Sequence, residues 1–252
     1  MKKIISKIIR HRIFYKTWVF LNKLSNYGLN FGVASGYANY SGELHIIKKV
    51  KSTNEIEPVI FDVGANVGDW SKCLINVFKN DRYSLHMFEP VSNAFKLLNQ
   101  QITESSNHFF NNTALGDEKG HINIHFDTNA QGSAGVFIKG SISEKVNITT
   151  LDQYCLDNSI KKIHFLKMDV QGYEYQILKG AKQLLQSKSI NFIQFEIDEP
   201  CIENRIFFKD FWKLLSKDYK IYHSLFNGLI EVEEYNYKLE NFRCMNYLAI
   251  LK

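Results

Sequence analysis

Between Val59 and Ser71 the sequence VIFDVGANVGDWS passes from a β-favouring run, through a loop with two glycines, into a helix start. This switch constrains the chain most because it recurs. VIFDV precedes a helix from Asp69 to about Lys79, and SLHMFEP precedes NAFKLLNQQI. HFFNNTALG leads into a turn at Asp117–Gly120, IHFLKMDV precedes YEYQILKGAKQLLQ, and NFIQFEI precedes FFKDFWKLL. IHFLKMDV is almost continuously apolar, as in a strand covered on both faces. In YEYQILKGAKQLLQ, Ile177, Leu178, Ala181, Leu184 and Leu185 share one helical face. HINIHF alternates with period two and reads as an extra, half-exposed strand. The end differs: YKIYHSLF, Asn227-Gly228, LIEVEEY and MNYLAILK are strands without helices, and Asn-Gly marks a hairpin. The expected fold is α/β and Rossmann-like, a mostly parallel sheet with helices on both faces and a reversed strand at one edge.

Length and composition agree with one sizeable core: 252 residues, 45% apolar and 23% charged. The expected division is an N-terminal helical and basic extension over 1–57, helical at WVFLNKL and GELHIIKKV, followed by a domain over 58–252. Much of the net charge of +5 comes from MKKIISKIIRHR at Met1–Arg12. This arm reads as an amphipathic helix with a solvated basic face, and is a candidate for peripheral membrane contact or for pairing two copies. Its isoleucines come in pairs separated by lysines, unlike a signal peptide, and no later run reaches the ~18 apolar residues of a membrane span. Cys73, Cys155, Cys201 and Cys244 lie far apart with no C-x-x-C, so neither disulfides nor zinc are expected, and the chain reads as reduced and cytoplasmic.

In sheets of this kind ligands sit at the carboxyl ends of strands. Asp62, Gly64 and Gly68 end the first strand, where glycine lets backbone approach a ligand and a helix start offers free N–H groups. Glu89 ends the second, 27 positions after Asp62, placed to accept both hydroxyls of a ribose. NTALGD brings Ala114 and Leu115 beside the expected adenine face, with Asp117 close by, and Asp169 opens the polar loop DVQGYE over the sheet's centre. A dinucleotide site wants G-x-G-x-x-G, whereas this loop reads D-x-G-x-x-x-G. An acid there repels pyrophosphate and suits a cation, so S-adenosylmethionine, with its sulfonium and amino groups, is favoured over NAD.

These segments resemble a class I S-adenosylmethionine-dependent methyltransferase of the FkbM family. FDVGANVGDWS is similar to that family's glycine loop, FEPVSNAFKLL to its ribose-binding acid and helix, and LKMDVQGYEYQILKGA to its K-x-D-x-E-G-x-E-x-x-x-L-x-G-A signature; YSGE at Tyr40–Glu43 resembles the segment before its first strand. Gln171 stands where the family usually has glutamate. The resemblance implies a seven-stranded sheet with an antiparallel last strand. It also implies methyl transfer to a hydroxyl of a carbohydrate, such as a surface polysaccharide or glycan precursor, or of a secondary metabolite. Asp62, Gly64, Ala65, Asn66, Gly68, Glu89, Pro90, Ala114, Leu115 and Asp169 are the implied cofactor contacts. Asp169 is the first candidate for orienting or deprotonating the acceptor, with Glu174 and Glu196 behind it. The two loop carboxylates, Asp169 and Glu174, with a third from Glu196 and the uncharged carbonyl oxygen of Gln171, form a weaker candidate for a divalent cation, and no metal is expected. His86, His164 and His223 read as packed positions.

Two other readings are weighed. Asp-Glu-Pro-Cys at 198–201 echoes the D-x-P-C nucleophile of RNA cytosine enzymes, but the chain lacks a clear basic recognition domain, so nucleic acid is not the expected partner. The other is a cofactor-binding, non-catalytic partner in glycan assembly, for which Gln171 is the only hint.

Overall fold

The computed structural model describes residues 9–32, 41–126, 134–136, 138, 140–240 and 242–252. The first eight residues of the basic arm, the glycine-containing stretch 33–40 and Tyr40 of YSGE lie outside them. Strands β1 (Val59–Val63), β2 (Ser84–Phe88), β3 (His108–Asn111), β8 (Ile163–Met168), β9 (Ile190–Ile197), β10 (Tyr219–Leu225), β11 (Gly228–Val232) and β12 (Met245–Leu251) form one sheet in the order β11-β10-β12-β9-β8-β1-β2-β3. β3, β2, β1, β8 and β9 are mutually parallel, and β12 runs antiparallel to both β9 and β10.

This corrects the sequence expectation in two respects. The sheet has eight strands, because the Asn227-Gly228 hairpin adds β11 as a further edge. The reversed strand β12 is interior, inserted between β9 and β10. Its sequence, MNYLAIL, is apolar enough to be covered on both faces, and five of its seven residues are buried.

The parallel strands alternate their side chains between two cores. Phe61, Phe88, Leu166, Ile193, Phe195 and Tyr247 point to one face, against α5 (Leu151–Asp157), α6 (Glu174–Lys179), α7 (Lys182–Gln186) and α9 (Phe208–Leu215). Ile60, Leu85, Met87, Phe165, Phe192 and Leu248 point to the other, against α2 (Glu43–Lys51), α3 (Asp69–Phe78) and α4 (Ser92–Gln101). Helix α2 thus covers part of the main core through Ile46, Ile47 and Val50. By contrast α1 (Tyr15–Gly28) buries none of its residues.

A second, four-stranded sheet, β4 (Ala114–Gly116), β7 (Ile142–Thr150), β5 (Gly120–Phe126) and β6 (Ala134–Gly135), stands beside the strand ends in the order β4-β7-β5-β6. The segment HFFNNTALG splits between the two sheets, since Asn112 Nδ2 donates to the carbonyls of Glu89 (2.9 Å) and Pro90 (3.0 Å) and draws the chain across. The stretch expected as one helix over 173–186 breaks between α6 and α7. At Gly180 a Cβ would collide with the carbonyl of Gly116, so the break is where β4 lies against the helix pair.

Candidate active site

The carboxyl ends of β1, β2 and β8 are tied edge to edge. The N–H groups of Gly64 and Ala65 both donate to the Phe88 carbonyl (3.0 Å each), and Asp169 N donates to the Val63 carbonyl (3.0 Å). Gly64, at φ +80°, faces the carbonyl of Asp169 with no room for a Cβ. Asn66 (φ +47°) and Gly68 (φ +92°) are also left-handed, and asparagine is among the few non-glycine residues that tolerate that region. The loop then delivers the chain to α3, whose first-turn N–H groups have no intrahelical acceptor.

Glu89 sits at the next strand end, its Oε2 accepting from Asn66 N (2.9 Å) and its Oε1 from Val91 N (2.8 Å). Each oxygen keeps a lone pair for a further donor. Burial pushes its pKa up to about 7 despite those two bonds. Pro90 is half-buried; Ala114 packs with Val91 in a small cluster with Ile124, Val146 and Ile148, and Leu115 lies in the main core. Asp117 is turned to Lys179, at 2.6 Å.

Asp62 is wholly enclosed. Its Oδ1 is 3.0 Å from Lys167 Nζ and its Oδ2 accepts from Ser71 Oγ at 2.7 Å. Lys167 is also buried, 3.7 Å from Asp169 Oδ2 and 5.5 Å from the centre of the Trp70 ring. Burial opposes its charge, but Asp62, Asp169 and Glu43 outweigh that and hold its pKa above the ordinary lysine value.

The three acceptor-side carboxylates differ. The Asp169 side chain keeps 19% of its surface exposed, and Gln171 Nε2 donates to its Oδ1 at 3.4 Å. Gln171 (φ +54°) and Gly172 (φ +94°) turn this loop through two left-handed residues. Glu174 is enclosed, accepting from Val170 N (2.8 Å) and Cys201 Sγ (3.8 Å), and burial with Asp198 nearby raises its pKa to about 8. Glu196 is enclosed too, accepting from Cys244 Sγ (2.6 Å) and Asn246 Nδ2 (3.5 Å), and burial then Asp169 hold its pKa well above the carboxylate range. Among the described residues no three His, Cys, Asp or Glu side chains are arranged to hold a metal ion.

The Asp-Glu-Pro-Cys segment has a structural use. Asp198 caps α8 (Glu199–Glu203) by accepting from Cys201 N at 3.3 Å, and Cys201 is fully buried. Burial and the neighbouring Glu174 and Asp198 push its thiol far up, the opposite of an activated nucleophile. His86 stacks on Phe109 with ring centres 4.3 Å apart and meets Tyr154 Oη at 2.8 Å; burial lowers its pKa to about 4. His164 accepts from Val59 N at 2.9 Å.

Sequence reasoning gave no site role to Lys167, Ser71, Gln194 or Glu43, although three of them stand in its motifs. Lys167 carried a signal, a lysine inside a strand covered on both faces, which demands a buried anion. Glu43 entered only as the end of YSGE, with no role of its own. It is fully buried, bonded to Ser41 Oγ (2.9 Å) and Gln194 Nε2 (3.1 Å), and burial raises its pKa, with Lys167 opposing.

A parallel sheet with a reversed strand inserted beside its last parallel strand, a glycine loop after β1, and an acid ending β2 define a class I methyltransferase. The methyltransferase FkbM domain model matches residues 62–239, and the chain belongs to that family. It is similar to hexuronic acid methyltransferase AglP of Haloferax volcanii, 27% identical over 186 residues, covering 69% of this chain and 72% of that protein. It is also similar to 2-O-methyltransferase NoeI of Sinorhizobium fredii, 23% identical over 185 residues, covering 66% and 75%. Among solved structures, methyltransferase FkbM from Methylobacillus flagellatus superposes with a TM-score of 0.45 at 18% identity, over 77% of this chain and 43% of that one.

Proposed function

We propose that this methyltransferase uses S-adenosylmethionine to methylate a hydroxyl of a carbohydrate. The observation that carries the reading is the placement of Glu89, its two oxygens held by backbone N–H groups, one strand away from the glycine loop and two from the partly exposed Asp169. The donor set suits the cofactor in that Glu89 offers acceptors for two vicinal hydroxyls; since Asp62 is enclosed and offset by Lys167, negative charge for a cationic ligand comes from Asp169 and Glu89. Bound S-adenosylmethionine supplies a methyl group on a positive sulfur that departs as a neutral thioether. Asp169 accepts a hydrogen bond from the acceptor hydroxyl, fixes its attack direction, and takes its proton as the new carbon–oxygen bond forms. Orientation of this kind is worth ~7–11 kcal/mol. Glu174 and Glu196, enclosed and already bonded, hold the loop and the adjoining strand that frame Asp169.

The names of the two relatives, one acting on hexuronic acid and one at a 2-O position, support a sugar hydroxyl as acceptor. The test is transfer of labelled methyl from S-adenosylmethionine to hexuronic acids and neutral sugars, offered free, nucleotide-linked and lipid-linked. An alkali-stable methyl ether on a sugar is expected. An alkali-labile ester would move the reaction to a carboxylate, and cofactor binding without transfer to any of these would favour the non-catalytic partner.

Glu89 also gives a pH signature. With its pKa near 7 in the free protein, only about a tenth is charged at pH 6 and about nine-tenths at pH 8. Hydroxyl donors prefer the charged form, so affinity for S-adenosylhomocysteine should rise up to about tenfold across that range, measured by calorimetry. The free chain behaves oppositely. Its folded pKa lies above the unfolded one, so this contribution to stability is full below the unfolded value of 4.5 and is lost as pH rises towards 7.

A further inference from the structure

We propose that α1 docks the protein on an anionic lipid surface. The helix leaves a row of large apolar side chains in water: Phe20, Leu24 and Tyr27, at i, i+4 and i+7, are 63%, 57% and 75% exposed, and Ile13 just ahead of the helix is 73% exposed. The body of the protein touches the other side. Arg243 reaches Asn22 Oδ1 at 3.4 Å, and at about 100° per residue Asn22 lies nearly opposite Phe20 and Leu24. The attachment is at the helix's far end, where Gly32 N donates to the Cys244 carbonyl (2.8 Å) and Asn30 Nδ2 to the carbonyls of Ser41 (2.9 Å) and Ser224 (3.1 Å).

Charge selects the occupant of this face. Lys2, Lys3, Lys7, Arg10, Arg12, Lys16 and Lys23 precede the first acidic residue, Glu43. The remaining 24 lysines and arginines are outnumbered by the 26 acidic residues, so the whole positive excess of the chain sits in its first 42 residues. Lys16 and Lys23 lie along one side of the exposed row, where their stems can cover apolar surface while the ammonium groups reach phosphate. Tyr27, within the row, is a residue type that favours a membrane–water boundary. A second copy would set seven cations against seven, and a nucleic acid would leave the apolar row wet. A bilayer with acidic headgroups satisfies both features, by the pairing of apolar insertion with cationic attraction that peripheral helices use. Among the described residues no helix is long and apolar enough to cross a membrane, so the geometry points to lying on the surface.

The helix is tied to Cys244, whose thiol bonds Glu196 beside the candidate site. Docking there keeps that site near the bilayer, although the proposal does not depend on the methyl-transfer reading.

The test is co-sedimentation of the full chain with vesicles of phosphatidylcholine alone or mixed with phosphatidylglycerol. The mixed vesicles should bind at least roughly tenfold more strongly, since each cation near such a surface contributes about fivefold, and high salt should remove the difference. Phe20→Ser combined with Leu24→Ser should lose roughly tenfold in binding with an unchanged melting midpoint, because both side chains are already exposed in the fold. Lys16→Glu with Lys23→Glu should lose at least roughly 25-fold, two cations at about fivefold each. S-adenosylhomocysteine binding, measured in parallel, should be the same in every variant. Indifference to both vesicles would overturn the proposal. So would vesicle binding that survives both pairs of substitutions, a dimer dissolved by Phe20→Ser/Leu24→Ser without vesicle binding, or retention on RNA alone.

Discussion

Lys167→Met is expected to lower the melting midpoint by roughly 10 °C or more, the largest stability loss of any single change in the site. The lysine is buried between Asp62 and Asp169, 3.0 and 3.7 Å away, and Asp62 has no exposed surface through which water could replace it. Removing one member of a buried pair leaves an uncompensated charge and costs ~3–5 kcal/mol. For a chain of this length each kcal/mol shifts the midpoint by roughly 2–4 °C. Adding Asp62→Asn to Lys167→Met should recover part of the loss, since the isolated anion is then gone. Ser71, which donates to Asp62, would still have an acceptor in the asparagine. A melting curve for Lys167→Met that overlays the wild type would show that this pair does not hold the strand ends together.

Asp169→Asn should cost ~10²–10⁴-fold in kcat, the usual span for a positioned acid or base. Asparagine preserves shape and can still meet Lys167 and Gln171, so the midpoint should move by only a few degrees. S-adenosylhomocysteine affinity should stay within severalfold, because the ribose site at Glu89 is untouched. The combination separates chemistry from folding and from cofactor binding. If turnover persisted in Asp169→Asn and collapsed in Glu196→Gln, the proton would be leaving by a different carboxylate.

Much of this architecture is written locally. Strand-to-helix switches, the Asn227-Gly228 hairpin and the glycine loop depend on neighbours along the chain, and each is where the sequence places it. What is not local is less legible. Nothing in MNYLAIL states that β12 enters between β9 and β10 rather than lying at the edge; that choice is made by what covers each face. β7 is hard to read because ISEKVNITT is half polar and its inward residues, Val146 and Ile148, pack only a small satellite cluster. The break at Gly180 follows from the carbonyl of Gly116, sixty-four positions away. In the site, the acids at strand ends were readable from position alone. The partners were not: Glu43 reaches the sheet only because α2 folds over Gln194, 151 residues distant, and the burial that separates Asp169 from Glu174 and Glu196 exists only in three dimensions.

The central claim is that the pocket edge formed by the glycine loop and Glu89 binds S-adenosylmethionine. Its most direct test is calorimetric titration with S-adenosylhomocysteine and with NAD, using wild type and Glu89→Ala at pH 6 and pH 8. Binding of S-adenosylhomocysteine alone, tighter at pH 8 and lost or weakened at least roughly tenfold without the Glu89 carboxylate, is the expected result. Binding of NAD in its place, or S-adenosylhomocysteine affinity that is indifferent to Glu89, would contradict it.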